Sequence, residues 1–176
     1  MGEVIRFEGK YILRVTTEET LANQTPRCWE RAYLRDGVII IPITREGKIR
    51  FVREQVWTDP HAKTKLVTGY MDDGELPLDA ARRELQEELG LTAEKWTPLV
   101  SYGTKGAVNK MRHYFVARGL TQGEASPEES ENILGPIDMS FAEVHDLALH
   151  GGFGYSETAC VLLCLTDKKS PLWSWR

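Results

Sequence analysis

The chain has 176 residues, of which 41% are hydrophobic and 27% are charged, and its formal net charge at pH 7 is -4. This size and composition are typical of one globular domain with its own core, and they exclude a disordered chain or a fibrous repeat. The net negative charge argues against a nucleic acid as the main partner, because binding to a phosphate backbone draws on clustered Lys and Arg.

The sequence also disfavours membrane insertion and disulfide bonding. It has neither a signal-peptide pattern nor a run of about 20 apolar residues that could cross a membrane. Cys28, Cys160 and Cys164 form no Cys-x-x-Cys pair, so no disulfide framework or zinc site is predicted. Cys160 and Cys164 are four apart in an apolar segment, and we expect them to be buried on one helix face. We therefore expect a cytoplasmic protein with no membrane partner.

The first part of the chain has the pattern of β-strands. Polar and apolar residues alternate over residues 10–17, and a second extended segment is expected at residues 28–34, beyond a polar stretch. We therefore expect residues 1–36 to form an N-terminal antiparallel strand extension, followed by the main domain at residues 37–176.

A β-hairpin is predicted at the start of the main domain. Two apolar runs rich in β-branched residues, at residues 38–44 and 49–56, flank the turn sequence Arg45-Glu46-Gly47-Lys48. Two such runs joined by a short turn that contains glycine are typical of paired antiparallel strands.

The clearest helix in the sequence lies between Pro77 and Gly90. Proline is favoured in the first turn of a helix, and glycine is favoured just beyond the last turn. At 100° per residue, the helix has one narrow apolar stripe, which consists of Leu78, Ala81, Leu85 and Leu89. Glu84 and Glu88 are four residues apart, so their side chains are expected to project together from the edge of this stripe.

The rest of the chain predicts a mixture of strands and helices. Strands are expected at residues 96–102 and 112–117, followed by an acidic loop at residues 121–132. Ser140 with Glu143 forms a capping box that opens another helix. A last helix is expected at residues 156–166, so the whole pattern indicates an α+β domain.

A longer motif surrounds the helix that begins at Pro77. Gly69 is followed after five residues by Glu75, and after seven more by Arg83-Glu84-Leu85-Gln86-Glu87-Glu88-Leu89-Gly90-Leu91. The motif resembles the Nudix box at every fixed position, and a chance match is expected at about one in a billion start sites. The Glu-rich run alone is also typical of a solvated helix, but the flanking residues in register favour the Nudix assignment.

The resemblance implies a fold, an activity and an assembly. The Nudix fold is an α+β fold in which helices sandwich a mixed β-sheet core, and residues 37–176 are then the Nudix hydrolase domain. The activity implied is hydrolysis of a nucleoside diphosphate linked to another group. Family analogy also implies a homodimer, with residues 1–36 as a dimerisation element.

The two helical carboxylates predict a divalent metal site. Like charges at this separation repel each other, and a bound cation removes the repulsion. Mg²⁺, with Mn²⁺ as an alternative, accepts hard oxygen ligands in octahedral geometry and keeps several waters, which suits Glu84 and Glu88. By resemblance, the backbone carbonyl of Thr68 joins these ligands. Glu87 is expected to contribute to a further metal ion and to catalysis.

Four other box residues are expected to have structural roles. The resemblance implies that Arg83 and Glu75 fasten the loop to the helix, and that Gly69 and Gly90 permit tight turns. From spacing alone, Arg83 is also placed to pair with Glu87, four residues later.

The box does not supply the general base. In the subfamily that hydrolyses ADP-ribose, the base is expected on an acidic loop far downstream of the box. The sequence Ser126-Pro-Glu-Glu-Ser-Glu131 resembles that loop. We expect Glu129 to be the base and Glu131 to be an accessory metal ligand, and the alternative is an ordinary solvated loop.

The substrate class follows from a resemblance that extends over most of the chain. It indicates pyrophosphatases of ADP-ribose and nucleotide sugars, whose products are a nucleoside monophosphate and a sugar phosphate. Val56-Trp57 and Lys105-Gly106 depart from the ADP-ribose pattern, so ADP-ribose is one candidate among several. The substrate-binding residues expected are Arg27, Trp29, Arg35 and Arg53, although Trp29 is equally suited to packing. The basic residues 105–113 could contact phosphates or be a surface turn.

Two alternative functions stay open. An RNA 5′-end or dinucleotide pyrophosphohydrolase would use the same box, but the sequence has no strongly basic surface. A non-catalytic Nudix module that senses a nucleotide would tend to lose box carboxylates, whereas Glu75, Glu84, Glu87 and Glu88 are all present.

Overall fold

A computed structural model describes residues 3–22, 25–55, 60–127, 132–153 and 156–175. Within these ranges the strands are β1 (Val4–Glu8), β2 (Ile12–Ala22), β3 (Thr25–Leu34), β4 (Gly37–Pro42), β5 (Ile49–Glu54), β6 (Lys63–Lys65), β7 (Val67–Tyr70), β8 (Leu91–Thr104), β9 (Val108–Gln122) and β10 (Ile133–Met139). The helices are α1 (Pro77–Leu89), α2 (Phe141–Leu149) and α3 (Ser156–Thr166), followed by a short 3-10 helix at Pro171–Trp175.

The strands form two sheets. The larger sheet has the order β1-β2-β3-β9-β4-β7, and β8 also pairs with β9. Strand β9 runs parallel to both β3 and β4, whereas the other pairs in this sheet are antiparallel. The smaller sheet is antiparallel and has the order β10-β5-β6.

Helices cover both faces of the larger sheet. Along β4, Ile39 and Ile41 pack in a core cluster with residues of α2 and α3, whereas Val38 and Ile40 pack in a second cluster with residues of α1. Successive side chains of a strand point to opposite faces, so a strand that is buried on both sides reads as continuously apolar. The expected α+β class, with helices on either side of a mixed sheet, is confirmed.

The three predicted helices are present. Helix α1 ends at Gly90, whose φ of 64° is the left-handed conformation that glycine adopts readily. Helix α2 starts with the predicted capping box, in which Ser140 and Glu143 exchange hydrogen bonds. Helix α3 has the predicted bounds. Among the helices in the described ranges, none is both long enough and apolar enough to cross a membrane.

The predicted hairpin was wrong. The turn after β4 closes through a hydrogen bond from Thr44 N to Lys48 O, but Ile43 and Ile49 form only an isolated bridge. Beyond that bridge, β4 pairs with β7 and β9, whereas β5 pairs with β6 and β10. The two strands separate because the backbone hydrogen bonds of each are made with strands that are distant in the sequence. The residues of the turn do not reveal those partners.

Other strand predictions were incomplete. Strands β1, β6, β7 and β10 were not expected from the sequence. Strand β10 contains Gly135 and Pro136, which are usual signals for a turn, and β6 and β7 are only three and four residues long.

The prediction that Cys160 and Cys164 are buried was also wrong. Both thiols are exposed. Helix α3 turns a different face towards the core, with Val161, Leu162 and Leu165 buried. The sequence of α3 is apolar on most of its faces, so it does not indicate which face of the helix is buried.

A bidentate ion pair joins the outer strand β10 to β5. Arg50 Nε and Nη2 donate to Asp138 Oδ1 and Oδ2, both at 2.7 Å. The guanidinium lowers the pKa of Asp138 below its usual value, because hydrogen bonds to Arg50 favour the charged carboxylate. This pair therefore stabilises the fold when Asp138 is ionised.

We predict that Asp138→Asn lowers the free energy of unfolding by about 1 kcal/mol at pH 7, as expected for a well-oriented, partly buried pair. Because the pKa of Asp138 is lowered in the folded state, the contribution is present above the unfolded pKa and is lost below about pH 4. Urea unfolding from pH 7 to pH 3 measures both effects. Asp146→Asn, at an exposed position on α2, is the control.

Candidate active site

Helix α1 buries two carboxylates one turn apart. The residue Glu84 is 8% exposed and Glu88 is 2% exposed. Both lie beside the apolar stripe of α1, where Ala81 and Leu85 pack in the cluster that also contains residues of β4 and β7. The packing of this stripe therefore forces the two glutamates into the protein, where an isolated charge is costly.

Strands β6 and β7 pass beside Glu88. Its Oε1 atom accepts hydrogen bonds from Lys65 Nζ at 3.2 Å and from the backbone N of Thr68 at 3.3 Å. Lys65 Nζ also contacts Glu54 Oε2 at 2.9 Å. The backbone of Thr68 thus lies beside Glu88, and the expected role of its carbonyl as a metal ligand stays a prediction.

The carboxylate of Glu84 rests directly on Gly69. A Cβ atom built on Gly69 would lie 1.8 Å from the carboxyl carbon of Glu84 and 1.9 Å from its Oε1 atom. No side chain larger than hydrogen fits between β7 and α1 at this point. Gly69 is therefore required for the position of Glu84.

Arg83 connects the preceding loop with the remaining box carboxylates. Its Nε and Nη2 atoms contact Glu75 at 3.0 and 2.9 Å, and Nη2 also donates to the Tyr70 carbonyl at 2.9 Å. Its Nη1 atom contacts Glu84 Oε1 at 2.7 Å and Glu87 Oε2 at 3.0 Å. Both partners expected for Arg83, the loop residue Glu75 and the helical residue Glu87, are therefore in contact with it.

The charges of this cluster shift the pKa values of its members. Hydrogen bonds from Arg83 lower the pKa of Glu75, and a hydrogen bond from Asp72 N acts in the same direction. Hydrogen bonds to Glu75 and Glu84 raise the pKa of Arg83. Glu75 and Arg83 are thus held in their charged forms, which fixes the loop to the helix.

The donor set suits a hard divalent cation that keeps part of its own hydration shell. Glu84 and Glu88 offer carboxylate oxygens where α1 packs against β7. In the described part of the chain, no group of three or more His, Cys, Asp or Glu side chains is arranged to hold a metal ion. Mg²⁺ and Mn²⁺ fit this set, because they need only one or two carboxylates when waters and substrate oxygens fill the other positions.

A cavity of about 540 Å³ lies next to the loop that Arg83 fastens. Its lining includes Arg14, Arg35, Asp73, Glu75, Lys105 and Lys110. Arg35 holds the loop by donating from Nη1 to Met71 O and to Asp73 Oδ1, both at 3.0 Å. Cavities of this size are typical of sites for small ligands.

Comparisons with known proteins identify the family. The family model of the NUDIX domain matches residues 33–154, which is more than half of the chain. The chain belongs to the Nudix family. The match includes the whole of the box, the helix α1 that carries it and the strands that pack against that helix.

Relatives of this Nudix protein have different described roles. A methanol dehydrogenase activator of Bacillus methanolicus is 30% identical over 85% of this chain and 77% of its own length. An ADP-ribose pyrophosphatase of Bacillus subtilis is 30% identical over 81% of this chain and 74% of its own length. An RNA pyrophosphohydrolase of Bartonella bacilliformis is 40% identical, over only 32% of this chain and 36% of its own length.

A solved structure supports the fold assignment. A crystal structure of an ADP compounds hydrolase has a TM-score of 0.75 to this chain, at 22% sequence identity. The similarity covers 93% of this chain and 91% of the other chain. The expected Nudix fold is confirmed.

Other residues expected at the Nudix site are dispersed. Arg27 and Trp29 are exposed on β3, where Trp29 Nε1 donates to Thr20 Oγ1 at 3.0 Å, and neither residue lines the cavity. Arg53 is exposed on β5. It lies next to Glu54, but alternation along the strand points the two side chains to opposite faces. Of the four residues expected to bind substrate, Arg35 alone lines the cavity.

The two loop glutamates fall outside the described ranges. Glu129 and Glu131 belong to residues 128–131, which the structure does not describe. The same holds for Trp57, in residues 56–59.

Sequence analysis did not identify Lys65 and Glu54 as members of the site. Glu54 precedes Glu88 by 34 positions in the sequence. Pairing of β5 with β6, in which Val52 lies opposite Lys65, brings the lysine towards α1. No spacing rule connects these residues, so only the sheet register reveals them.

We predict that Gly69→Ala lowers the affinity for Mn²⁺ by about 100-fold, because the new methyl group displaces the carboxylate of Glu84 by an ångström or more. Equilibrium binding of Mn²⁺, followed by electron paramagnetic resonance, measures this loss. Gly123→Ala is the matched control, because the nearest atom to its added Cβ is 3.3 Å away. A folded Gly69→Ala protein with native affinity would contradict the role of Gly69.

Proposed function

We propose that this Nudix protein hydrolyses the diphosphate bond of a nucleoside diphosphate linked to a sugar, with ADP-ribose as the favoured substrate. The observation that carries the proposal is the buried pair Glu84 and Glu88 on the box helix α1. Both carboxylates lie against the backbone of Thr68 and Gly69 in β7. The ADP-ribose pyrophosphatase that is 30% identical over most of this chain supports the substrate class. The products would be a nucleoside monophosphate and a sugar phosphate.

In this proposal Glu84, Glu88 and the backbone carbonyl of Thr68 hold a divalent cation, Mg²⁺ or Mn²⁺. When bound, such an ion neutralises phosphate charge and orients a water for attack on phosphorus. The chain itself positions the ligands. Arg83 fixes Glu84 from one side, and the rigid Arg83–Glu75 pair prevents the loop from moving away from the helix.

Glu87 has a secondary role in the proposal. It is half-buried and contacts Arg83 at 3.0 Å, on the other side of that guanidinium from Glu75. This position suits a ligand of a further metal ion that arrives with the substrate. Arg83 keeps Glu87 oriented until then.

The cavity beside Glu75 is the proposed site for the nucleoside or the sugar. Its lining carries four cationic side chains and four acidic ones, and the cations Arg14, Arg35, Lys105 and Lys110 are donors of the kind that bind diphosphate oxygens. We also propose Arg27, Trp29 and Arg53 as substrate-binding residues, although they lie away from this cavity within one chain. Arg27 and Trp29 belong to the strand extension, so their contribution would require a partner subunit.

We propose that residues 1–36 mediate a homodimer. The strands of this extension expose apolar side chains at Val4, Ile5, Phe7, Ile12 and Leu13. Large apolar side chains that one chain leaves exposed can be buried against a second copy of the chain. The assembly would also cover the cavity, whose lining includes Leu13 and Arg14 of the same extension.

We predict that the native protein sediments as a dimer at low micromolar concentration and that Phe7→Asp shifts it to the monomer. A charge in the centre of an apolar interface is left desolvated and without a partner, which strongly opposes association. Sedimentation velocity measures the distribution. Glu8→Asp keeps the charge at the neighbouring position and is the control, and a native protein that is purely monomeric would refute the dimer.

The proposed location is the cytoplasm. Cys28, Cys160 and Cys164 are free and exposed thiols. Exposed thiols persist in a reducing compartment.

We propose that the general base comes from the acidic loop, with Glu129 as the base and Glu131 as an accessory metal ligand. The sequence of the loop supports this, and it continues into β10, which begins at Ile133. Glu129→Gln is predicted to lower kcat by about 100-fold or more, because a positioned base contributes about 100- to 10,000-fold. Turnover at saturating Mg²⁺ tests each glutamine variant separately. Two native rates would remove the loop from the mechanism.

The loss of one helical carboxylate tests the central proposal. We predict that Glu88→Gln lowers kcat by at least about 100-fold, since loss even of the outer partners of metal ligands costs about 10- to 100-fold. Its circular dichroism spectrum should stay native. Glu46→Gln, in the turn between β4 and β5, removes the same charge at an exposed position and should keep full activity.

A second candidate function is hydrolysis of an RNA 5′ end or a dinucleotide. The RNA pyrophosphohydrolase with 40% identity over 63 residues favours it, although the match covers a third of each chain. A panel of ADP-ribose, GDP-mannose, UDP-glucose, NADH, diadenosine polyphosphates and capped RNA, assayed with Mg²⁺ and with Mn²⁺, separates the two. A preference by orders of magnitude identifies the substrate, and no turnover of any compound would favour a nucleotide-sensing module.

A further inference from the structure

Lys65 lies between two carboxylates at one end of the candidate active site. Its ammonium contacts Glu54 Oε2 at 2.9 Å and Glu88 Oε1 at 3.2 Å. The side chain of Lys65 is 19% exposed, that of Glu54 is 14% exposed, and that of Glu88 is fully buried. The lysine therefore acts as a counter-ion inside the protein rather than at its surface.

The backbone around Lys65 is firmly placed. Lys65 is the last residue of β6 and lies opposite Val52 of β5. The following residue, Leu66, is buried in the core cluster on the other side of the sheet. Because the pairing with Val52 and the burial of Leu66 fix the backbone, the ammonium of Lys65 is directed towards Glu54 and Glu88.

Two cationic side chains bracket the carboxylates of the site. Arg83 contacts Glu84 Oε1, and Lys65 contacts Glu88 Oε1. A divalent ion would compete for the same oxygen atoms, because cationic side chains and hard metal ions both bind where negative charge is concentrated. Lys65 differs from Arg83 in bringing an additional anion, Glu54, from a strand outside the box.

We propose that Lys65 determines how many divalent ions the site takes: its ammonium occupies the Glu54–Glu88 end and prevents a further ion from binding there. Glu54, Glu88 and a bound cation would otherwise form a second carboxylate pair that is well suited to Mg²⁺ or Mn²⁺. The inference rests on the proposed use of a divalent metal by Glu84 and Glu88.

The test counts Mn²⁺ ions on the substrate-free protein. Free Mn²⁺ is followed by electron paramagnetic resonance for the native protein, Lys65→Met, Lys65→Arg and Lys168→Met. Lys65→Met should bind one more ion per chain than the native protein. Lys65→Arg keeps the charge and should bind the native number. Lys168→Met removes the same charge at an exposed position beyond α3 and should also bind the native number.

The outcomes separate this inference from the proposed function. Failure of both the native protein and Lys65→Met to bind Mn²⁺ would contradict the proposed metal site itself. Native binding with the same number of ions on Lys65→Met would overturn the inference alone. An extra ion on Lys65→Arg as well would show that the charge of the lysine is not the cause, and would also overturn it.

A measurement on the native protein covers the case in which Lys65→Met does not fold. The NMR signal of the Lys65 ε-methylene group, assigned by its absence in Lys65→Arg, is followed during titration with Mg²⁺. It should keep its position when the first metal site is saturated, because the ammonium stays with Glu54 and Glu88. Movement to the position of a free lysine would show that the metal displaces Lys65, and would overturn the proposal.

Discussion

The burial of two carboxylates on one turn of α1 is the constraint on which the site depends. Glu84 and Glu88 are drawn into the protein by the apolar stripe beside them, where charged groups lose most of their hydration. Arg83 and Lys65 supply the compensating charge from either side. The site is thus an ionic cluster in which five carboxylates share the two cations Arg83 and Lys65, and this excess of negative charge suits the proposed divalent cation.

The sheet topology makes this cluster rigid. Helix α1 packs over β4 and β7, and the chain leaves the smaller sheet at β6 and enters the larger one at β7. Because β6 and β7 follow each other directly in the chain, Lys65 of the smaller sheet and Gly69 of the larger sheet both contact α1. Close approach at Gly69 then fixes one carboxylate, and the backbone amide of Thr68 fixes the second.

The N-terminal strands β2 and β3 contribute to the wall of the cavity beside the site. Arg14 and Arg35 line the cavity, and Arg35 also donates to the loop that Glu75 and Arg83 hold. In the proposed function, the box helix supplies the carboxylates for the chemistry, whereas residues 1–36 supply part of the wall of the cavity that would bind the substrate.

The sequence alone determined the family, helix α1 with its two ends, the capping box of α2, and the contact of Arg83 with both Glu75 and Glu87. These features depend on residues near each other in the chain, so spacing and helical period reveal them. Only the tertiary structure decided that β4 and β5 separate into two sheets, that Cys160 and Cys164 face outwards, and that Lys65 joins Glu54 to Glu88. Those features arise from strand pairing and packing between distant segments, which local patterns do not specify.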